Sequence, residues 1–270
     1  MSPPSTNTVI ASSSADDGRA RARVRLPLLA LGIFTALAIC GAGALVLRPL
    51  PRARRALRGD AFHQLARFVA WLLGVRLEVE GALPTRPFLL VSNHLSYLDI
   101  VVYAAMTPIR FVTKREVLGW PVFGLLARSM GSIFVDRTAT RDALRALDEL
   151  ADAMAAGDAV LLFAEATSTA GHTVLPFRPA LLEWAAQTGH PAHYASIGYR
   201  TPAGGPPAHL AVCWWGEMTF MRHLIELARL PWIEATVRFG DAPIAERDRQ
   251  RLAERLHQAV SAQFTPVVVE

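Results

Sequence analysis

The chain has little cysteine, almost no lysine and no clustered metal ligands, and each shortage narrows its chemistry. Two cysteines, Cys40 and Cys213, occur in 270 residues. One lies in an apolar N-terminal run and the other in a strand-like segment. A disulfide framework is therefore not expected, no metal-ligand spacing exists, and a reducing compartment fits. Lys114 is the single lysine among 28 basic residues, a bias that an Ala- and Arg-rich proteome explains without function. No G-x-S-x-G elbow occurs, which argues against a serine hydrolase. No internal repeat is present, and the basic charge is scattered without any nucleic-acid-binding module, so no nucleic-acid partner is expected.

What is present is apolar and basic. Hydrophobic residues make up 52% of the chain, mean hydropathy is +0.27, and the net charge is +5. That combination directs attention to a membrane segment and to anionic partners. Residues 1–25 read as a disordered tail ending in arginines 19, 21, 23 and 25. Residues 26–47 then carry no charge. At about 1.5 Å per residue this run covers roughly 33 Å, enough for a bilayer core, and it is longer than the 7–15 or so residues of a signal-peptide core. Arginines stand on both sides of the run, so the positive-inside rule is nearly balanced. Residues 48–75 contain an amphipathic helix with Phe62, Leu65, Ala66, Val69, Leu72 and Leu73 on one face, suited to a lipid interface or to packing.

From residue 76 to 270 short apolar runs alternate with helical patterns. The runs predict strands over 76–81, 88–92, 109–113, 131–136, 159–165, 193–199, 209–215 and 234–240. Helices are predicted over 97–106, 120–129, 139–156, 179–188, 218–229 and 245–263. Several runs are apolar throughout rather than alternating, as in strands covered on both faces. The fold class is therefore α/β: a single domain with a central mostly parallel or mixed sheet flanked by helices, preceded by a transmembrane helix.

Residues 93–99, NHLSYLD, place a polar cluster between two apolar segments. His94 and Asp99 are five apart, a poor offset for contact within a regular helix. A loop histidine and an aspartate in the first helical turn can nevertheless meet. Asp99 would then hold the ring tautomer and leave the other nitrogen free as a general base. The alternative is a helix-capping turn in which Asn93, Ser96 and Asp99 do structural work and His94 is incidental. Two more polar segments end predicted strands, GSIFVDR (131–137) and LLFAEATST (161–169), and strand ends are where α/β sheets usually bind ligands. Lys114 and Arg115, after the 109–113 strand, could meet phosphates or an acidic partner, or simply be solvated. Trp120, Pro121 and Phe123 could wall an acyl tunnel or belong to the core.

Taken in order, these segments resemble the lysophospholipid acyltransferase family, whose best-known members are the 1-acylglycerol-3-phosphate acyltransferases. NHLSYLD matches its N-H-x-x-x-x-D motif and GSIFVDR its second motif, and FVTKREVLGWPVFG between them is also family-like. The resemblance spans about residues 75–240. It implies acyl transfer in phospholipid biosynthesis from acyl-CoA or acyl-carrier protein to the hydroxyl of a membrane lysolipid such as 1-acyl-glycerol-3-phosphate. His94 would be the base and Asp99 its orienting partner, with Arg137, Glu165 and Thr167 in the acceptor site. No metal or bound cofactor is implied. The cytosolic side of the inner membrane follows from where such donors are made.

The third motif departs from the family. Where it has Pro-Glu-Gly-Thr-Arg-Ser, this chain has Ala164, Glu165, Ala166, Thr167, Ser168 and Thr169. Glycine has become Ala166, costly if the turn needs positive φ. An arginine has become Ser168, which removes a phosphate-binding charge, and Arg178 could restore it or face solvent. The pattern is similar to the branch that acylates lyso-ornithine lipids, whose head group lacks phosphate. Three readings stand: a lysophospholipid acyltransferase, a lyso-ornithine lipid acyltransferase, and a non-catalytic lipid-binding membrane protein.

Overall fold

The computed structural model describes residues 6–120, 122–136 and 140–268, with the side chains of 6–15 and 140–143 outside that description. Its elements in chain order are α1 (Thr6–Val46), α2 (Pro51–Leu73), β1 (Val75–Glu80), β2 (Phe88–Ser92), α3 (Leu98–Met106), β3 (Ile109–Lys114), α4 (Phe123–Met130), β4 (Ile133–Val135), α5 (Thr140–Ala155), β5 (Ala159–Phe163), α6 (Glu183–Thr188), β6 (Ala192–Arg200), α7 (Ala208–Ala211), α8 (Phe220–Arg229), β7 (Ile233–Phe239) and α9 (Arg249–Gln263). Short 3-10 turns at Arg115–Gly119 and Pro179–Leu182 precede α4 and α6.

The seven strands form one sheet in the order β1-β7-β6-β2-β5-β3-β4. Every neighbouring pair is parallel except β6 with β7. Strands β2 and β5, near its middle, are buried at every position. Their side chains alternate between two cores, as the twofold period of a strand requires. Phe88, Leu90, Ala159 and Leu161 face one core with residues of α2, α3 and α8. Leu89, Val91, Val160 and Leu162 face the other with residues of α5, α6 and α9. Burial on both faces is why these runs are apolar throughout.

The 209–215 run is not a strand. Residues Ala208–Ala211 form one short helix after Pro207, and the following backbone is claimed elsewhere: Trp214 N donates to Leu95 O at 2.8 Å. Ala208, Ala211, Val212 and Cys213 join the core on one face of the sheet, and β6 already has β2 and β7 as its two sheet neighbours.

The N-terminus also differs from expectation. The helix begins at Thr6, well before residue 26, where a tail was expected. Arg21 Nε donates to Arg229 O at 3.0 Å and Arg25 Nη1 to Ala228 O at 3.2 Å, so two arginines cap the end of α8, where helix carbonyls lack partners. Within this helix, Asp16–Val46 is long and apolar enough to cross a membrane. Helix α2 starts with Pro51 at its first turn and ends at Gly74 in the left-handed conformation. It packs through Phe62, Ala66, Val69, Leu72 and Leu73, close to the face predicted, and leaves Trp71 72% exposed.

Parallel register brings the chemistry together. Ser92 pairs with Phe163, so the residues that follow β2 and β5 emerge side by side at one sheet edge. Lys114 pairs with Val135, which sets the end of β3 beside the later part of the second motif.

Candidate functional site

Histidine 94 leaves β2 in a loop, and Asp99 lies in the first turn of α3. The five-residue offset closes because the loop folds back: His94 Nδ1 is 2.7 Å from Asp99 Oδ2. The same oxygen accepts from Leu95 N at 2.7 Å and Ser96 N at 3.1 Å, and Oδ1 accepts from the Tyr199 hydroxyl at 2.6 Å. Asp99 is fully buried. A carboxylate in that position can only accept, so Nδ1 carries the proton and donates it. Nε2 then holds a lone pair, with no protein partner among the described residues, on a side chain that lines a cavity. The imidazole stacks on Phe163 with centroids 4.0 Å apart.

Neighbouring backbone fixes the loop. Asn93 bridges to β6 reciprocally, its amide donating to Ile197 O at 3.0 Å and accepting from Ile197 N at 2.8 Å. Thr169 N donates to His94 O at 3.1 Å. Ser96 Oγ accepts from Leu98 N at the start of α3, whose N-cap, Tyr97, has no side-chain cap bond. Asn93 is spent on β6 and His94 is paired with Asp99, so the segment is not the simple helix-capping turn of the alternative.

Glu165 is placed beside His94 and does not line the cavity there. It is buried, Oε1 accepts from His94 N at 2.6 Å, and Oε2 accepts from Leu175 N at 2.7 Å. Both oxygens are committed to backbone, so Glu165 ties the loop after β5 to the loop after β2. Burial pushes its pKa up to about 7, against the lowering effect of the two backbone donors.

The cavity beside His94 has a volume of about 340 Å³. Tyr97, Ile100, Phe111, Trp120, Phe123, Trp214 and Phe220 make it largely aromatic and aliphatic, so Trp120 and Phe123 do wall it. Thr167 and Lys114 line it as well, Lys114 being the one cationic side chain among the described lining residues. Ser168 also lines it and bonds through its hydroxyl to Trp214 O. Arg178 does not replace the lost arginine, because its side chain is exposed and outside the cavity wall. Arg115 is exposed in the 3-10 turn and does not line the cavity. Arg137 and Pro121 lie outside the described residues. Ala166 adopts φ 67°, so the turn that glycine would make easily is retained with alanine in it. No group of three or more His, Cys, Asp or Glu side chains able to hold a metal occurs among the described residues.

Tyr199 was not legible as a site residue. It stands a hundred positions from Asp99, in a segment that reads only as a strand, and no local spacing connects them. Its strand, AHYASIGYR, holds a second tyrosine, Tyr194, and nothing in the run distinguishes Tyr199 from it.

The chain is similar to known acyltransferases in sequence and in fold. An acyltransferase family model matches residues 75–198. A lyso-ornithine lipid O-acyltransferase from Brucella abortus is 38% identical over 74% of this chain and 79% of its own length. A 1-acyl-sn-glycerol-3-phosphate acyltransferase from Neisseria meningitidis is 28% identical over 76% of this chain and 81% of its own. The crystal structure of the 1-acyl-sn-glycerophosphate (LPA) acyltransferase from Thermotoga maritima shares the fold, with TM-score 0.58, 19% identity, and coverage of 89% of this chain and 97% of that one.

Two measurements test the site's construction. Because the folded pKa of Glu165 is raised from 4.5 to about 7, its contribution to stability is fully present below pH 4.5 and is lost as pH rises through about 7. The expected loss is up to about 3 kcal/mol. Denaturant unfolding between pH 5 and 8 should show this decline in the wild type and a flatter profile in Glu165→Gln; equal slopes would contradict it. Tyr199→Phe removes one donor from a buried carboxylate, costing about 1–3 kcal/mol of stability. It should also lower kcat with KM little changed, because Asp99 then orients the His94 ring less firmly. An unchanged kcat would reduce Tyr199 to packing.

Proposed function

The chain belongs to the acyltransferase family that includes the lysophosphatidic acid and lyso-ornithine lipid enzymes, and from that premise we propose that it moves a fatty acyl group from a thioester donor to the free hydroxyl of a lysolipid at a membrane. The observation that carries this reading is His94 itself: Nδ1 tied to a buried Asp99, Nε2 free on a cavity wall. Nε2 takes the proton from the acceptor hydroxyl as the oxygen attacks the thioester carbonyl. A new C–O ester bond forms, the C–S bond breaks, and the imidazolium returns the proton to the departing thiolate. Asp99 stabilises the imidazolium in between. The absence of a G-x-S-x-G elbow fits a direct transfer without an acyl-enzyme. The donor is acyl-CoA or acyl-carrier protein, with Lys114 at the cavity and Arg115 beyond it placed to meet donor phosphates or an acidic carrier.

We assign the acceptor to the lyso-ornithine lipid class. In the third motif a serine bonded to a main-chain carbonyl stands where an arginine would grip phosphate, and Arg178 points elsewhere. An arginine–phosphate contact is worth about 1.5–3 kcal/mol, or roughly 10- to 150-fold in affinity. Losing it disfavours lysophosphatidic acid and leaves a phosphate-free head group unpenalised. The 38% identical Brucella relative bears the lyso-ornithine name. The apolar span of α1 would hold the domain on the cytosolic face of the inner membrane, where the donors are made.

His94→Ala should lower the acyl-transfer rate by about 10²- to 10⁴-fold with the thermal unfolding midpoint little changed; wild-type turnover in that variant would remove the mechanism. In the same assay, an acceptor panel should show lyso-ornithine lipid turned over at least about tenfold faster than 1-acyl-glycerol-3-phosphate. The reverse order would overturn the acceptor while leaving the His94 chemistry intact.

A further inference from the structure

The sheet edge opposite His94 carries a second concentration of charge. Asp158 immediately precedes β5, and Arg110 is the second residue of β3. Asp158 Oδ2 is 3.3 Å from Arg110 Nη1 and 3.4 Å from Arg55 Nη1, and Oδ1 is 3.9 Å from Arg86 Nη2. Three guanidinium groups pair here with one carboxylate, and Arg58, one turn after Arg55 on α2, stands beside them without pairing. Arg58 is half-buried and its guanidinium lies over Gly131, which has no side chain to displace it. Arg110 Nε donates to the carbonyl of the same glycine at 2.6 Å. No carboxylate lies within ion-pair distance of Arg58 among the described residues. Burial, then the like charges of Arg110 and Arg55, hold its pKa below the usual arginine value, against a smaller opposing pull from Asp158. Asp60, two residues on, belongs instead to a groove against Gly32 and Phe68.

A half-buried cation among like charges is unfavourable unless an anion completes the set. Planar guanidinium forks suit phosphate in particular. The cluster is roughly 20 Å from the dyad, a five-residue strand and its flanks away. It sits instead where the apolar run of α1 ends. Leu57 of α2 packs on Gly43, and Leu45, Val46 and Leu50 are 76%, 72% and 56% exposed. Arg48, Arg52 and Arg54 are exposed in the same stretch.

We propose that Arg55, Arg58, Arg86 and Arg110 form an anion site that takes the phosphate of an anionic lipid head group. The site is separate from acyl transfer and does not depend on that reading. Its lipid source is favoured over free phosphate because exposed apolar residues adjoin it.

The test is thermal unfolding of the full-length, detergent-solubilised protein at fixed ionic strength. It is titrated separately with dihexanoyl phosphatidylglycerol, dihexanoyl phosphatidylcholine and inorganic phosphate. Phosphatidylglycerol should raise the unfolding midpoint saturably, and Arg58→Gln should weaken its apparent Kd by about tenfold or more. Arg58→Lys, which keeps the charge and loses the fork, should fall between and serves if the glutamine variant misfolds. His94→Ala should bind as the wild type does. Unchanged affinity in the Arg58 variants would overturn the site. Equal saturation by phosphatidylcholine would reassign the effect to apolar association, and equal affinity for inorganic phosphate would make the ligand a soluble anion; either result overturns the lipid assignment.

Discussion

A carboxylate taken out of water is costly unless donors replace the solvent it loses. Asp99 is fully buried and has four: the His94 ring, two backbone amides of its own loop, and the Tyr199 hydroxyl. Meeting that requirement organises much of the chain. The two amides force the loop after β2 to curl over the start of α3. That curl carries His94 into reach across an offset that no regular helix would close. The tyrosine comes from β6, so the sheet must place β6 beside β2 for the carboxylate to be satisfied at all. One buried charge thus couples a loop, a helix start and a strand a hundred residues away.

Glu165 performs the complementary task on the other side of His94. It accepts the His94 amide and the Leu175 amide, clamping two strand-end loops together. The histidine is consequently held through its backbone by the third motif and through its ring by the first. The two motifs are thus mechanically linked in this chain. Parallel pairing of β2 with β5 makes that linkage available, since both chains leave the sheet at the same edge.

Much of the fold was legible because its strands are short, apolar and buried on both faces, with helical patterns between them. Seven of the eight predicted strands are present. The exception, 209–215, is buried in the core as a helical turn and loop, because a short apolar run satisfies either conformation equally well. The N-terminal segment was read by composition as a tail, but Arg21 and Arg25 cap α8, a contact more than two hundred residues long in sequence. Glu165 was recognisable as a motif residue, yet its role was not, because a carboxylate that receives backbone amides and one that receives a substrate look alike in sequence.

The sequence by itself determined the alternation of strand and helix, the apolar N-terminal run, and the residue types of the His94 and Asp99 segment, since these depend on local periodicity and composition. Register and burial decided the rest. The curl that joins His94 to Asp99, the recruitment of Tyr199, the solvent-facing position of Arg178 and the crowding of arginines around Asp158 all follow from which strand edges lie side by side. That arrangement is set by long-range packing, and no spacing along the chain encodes it.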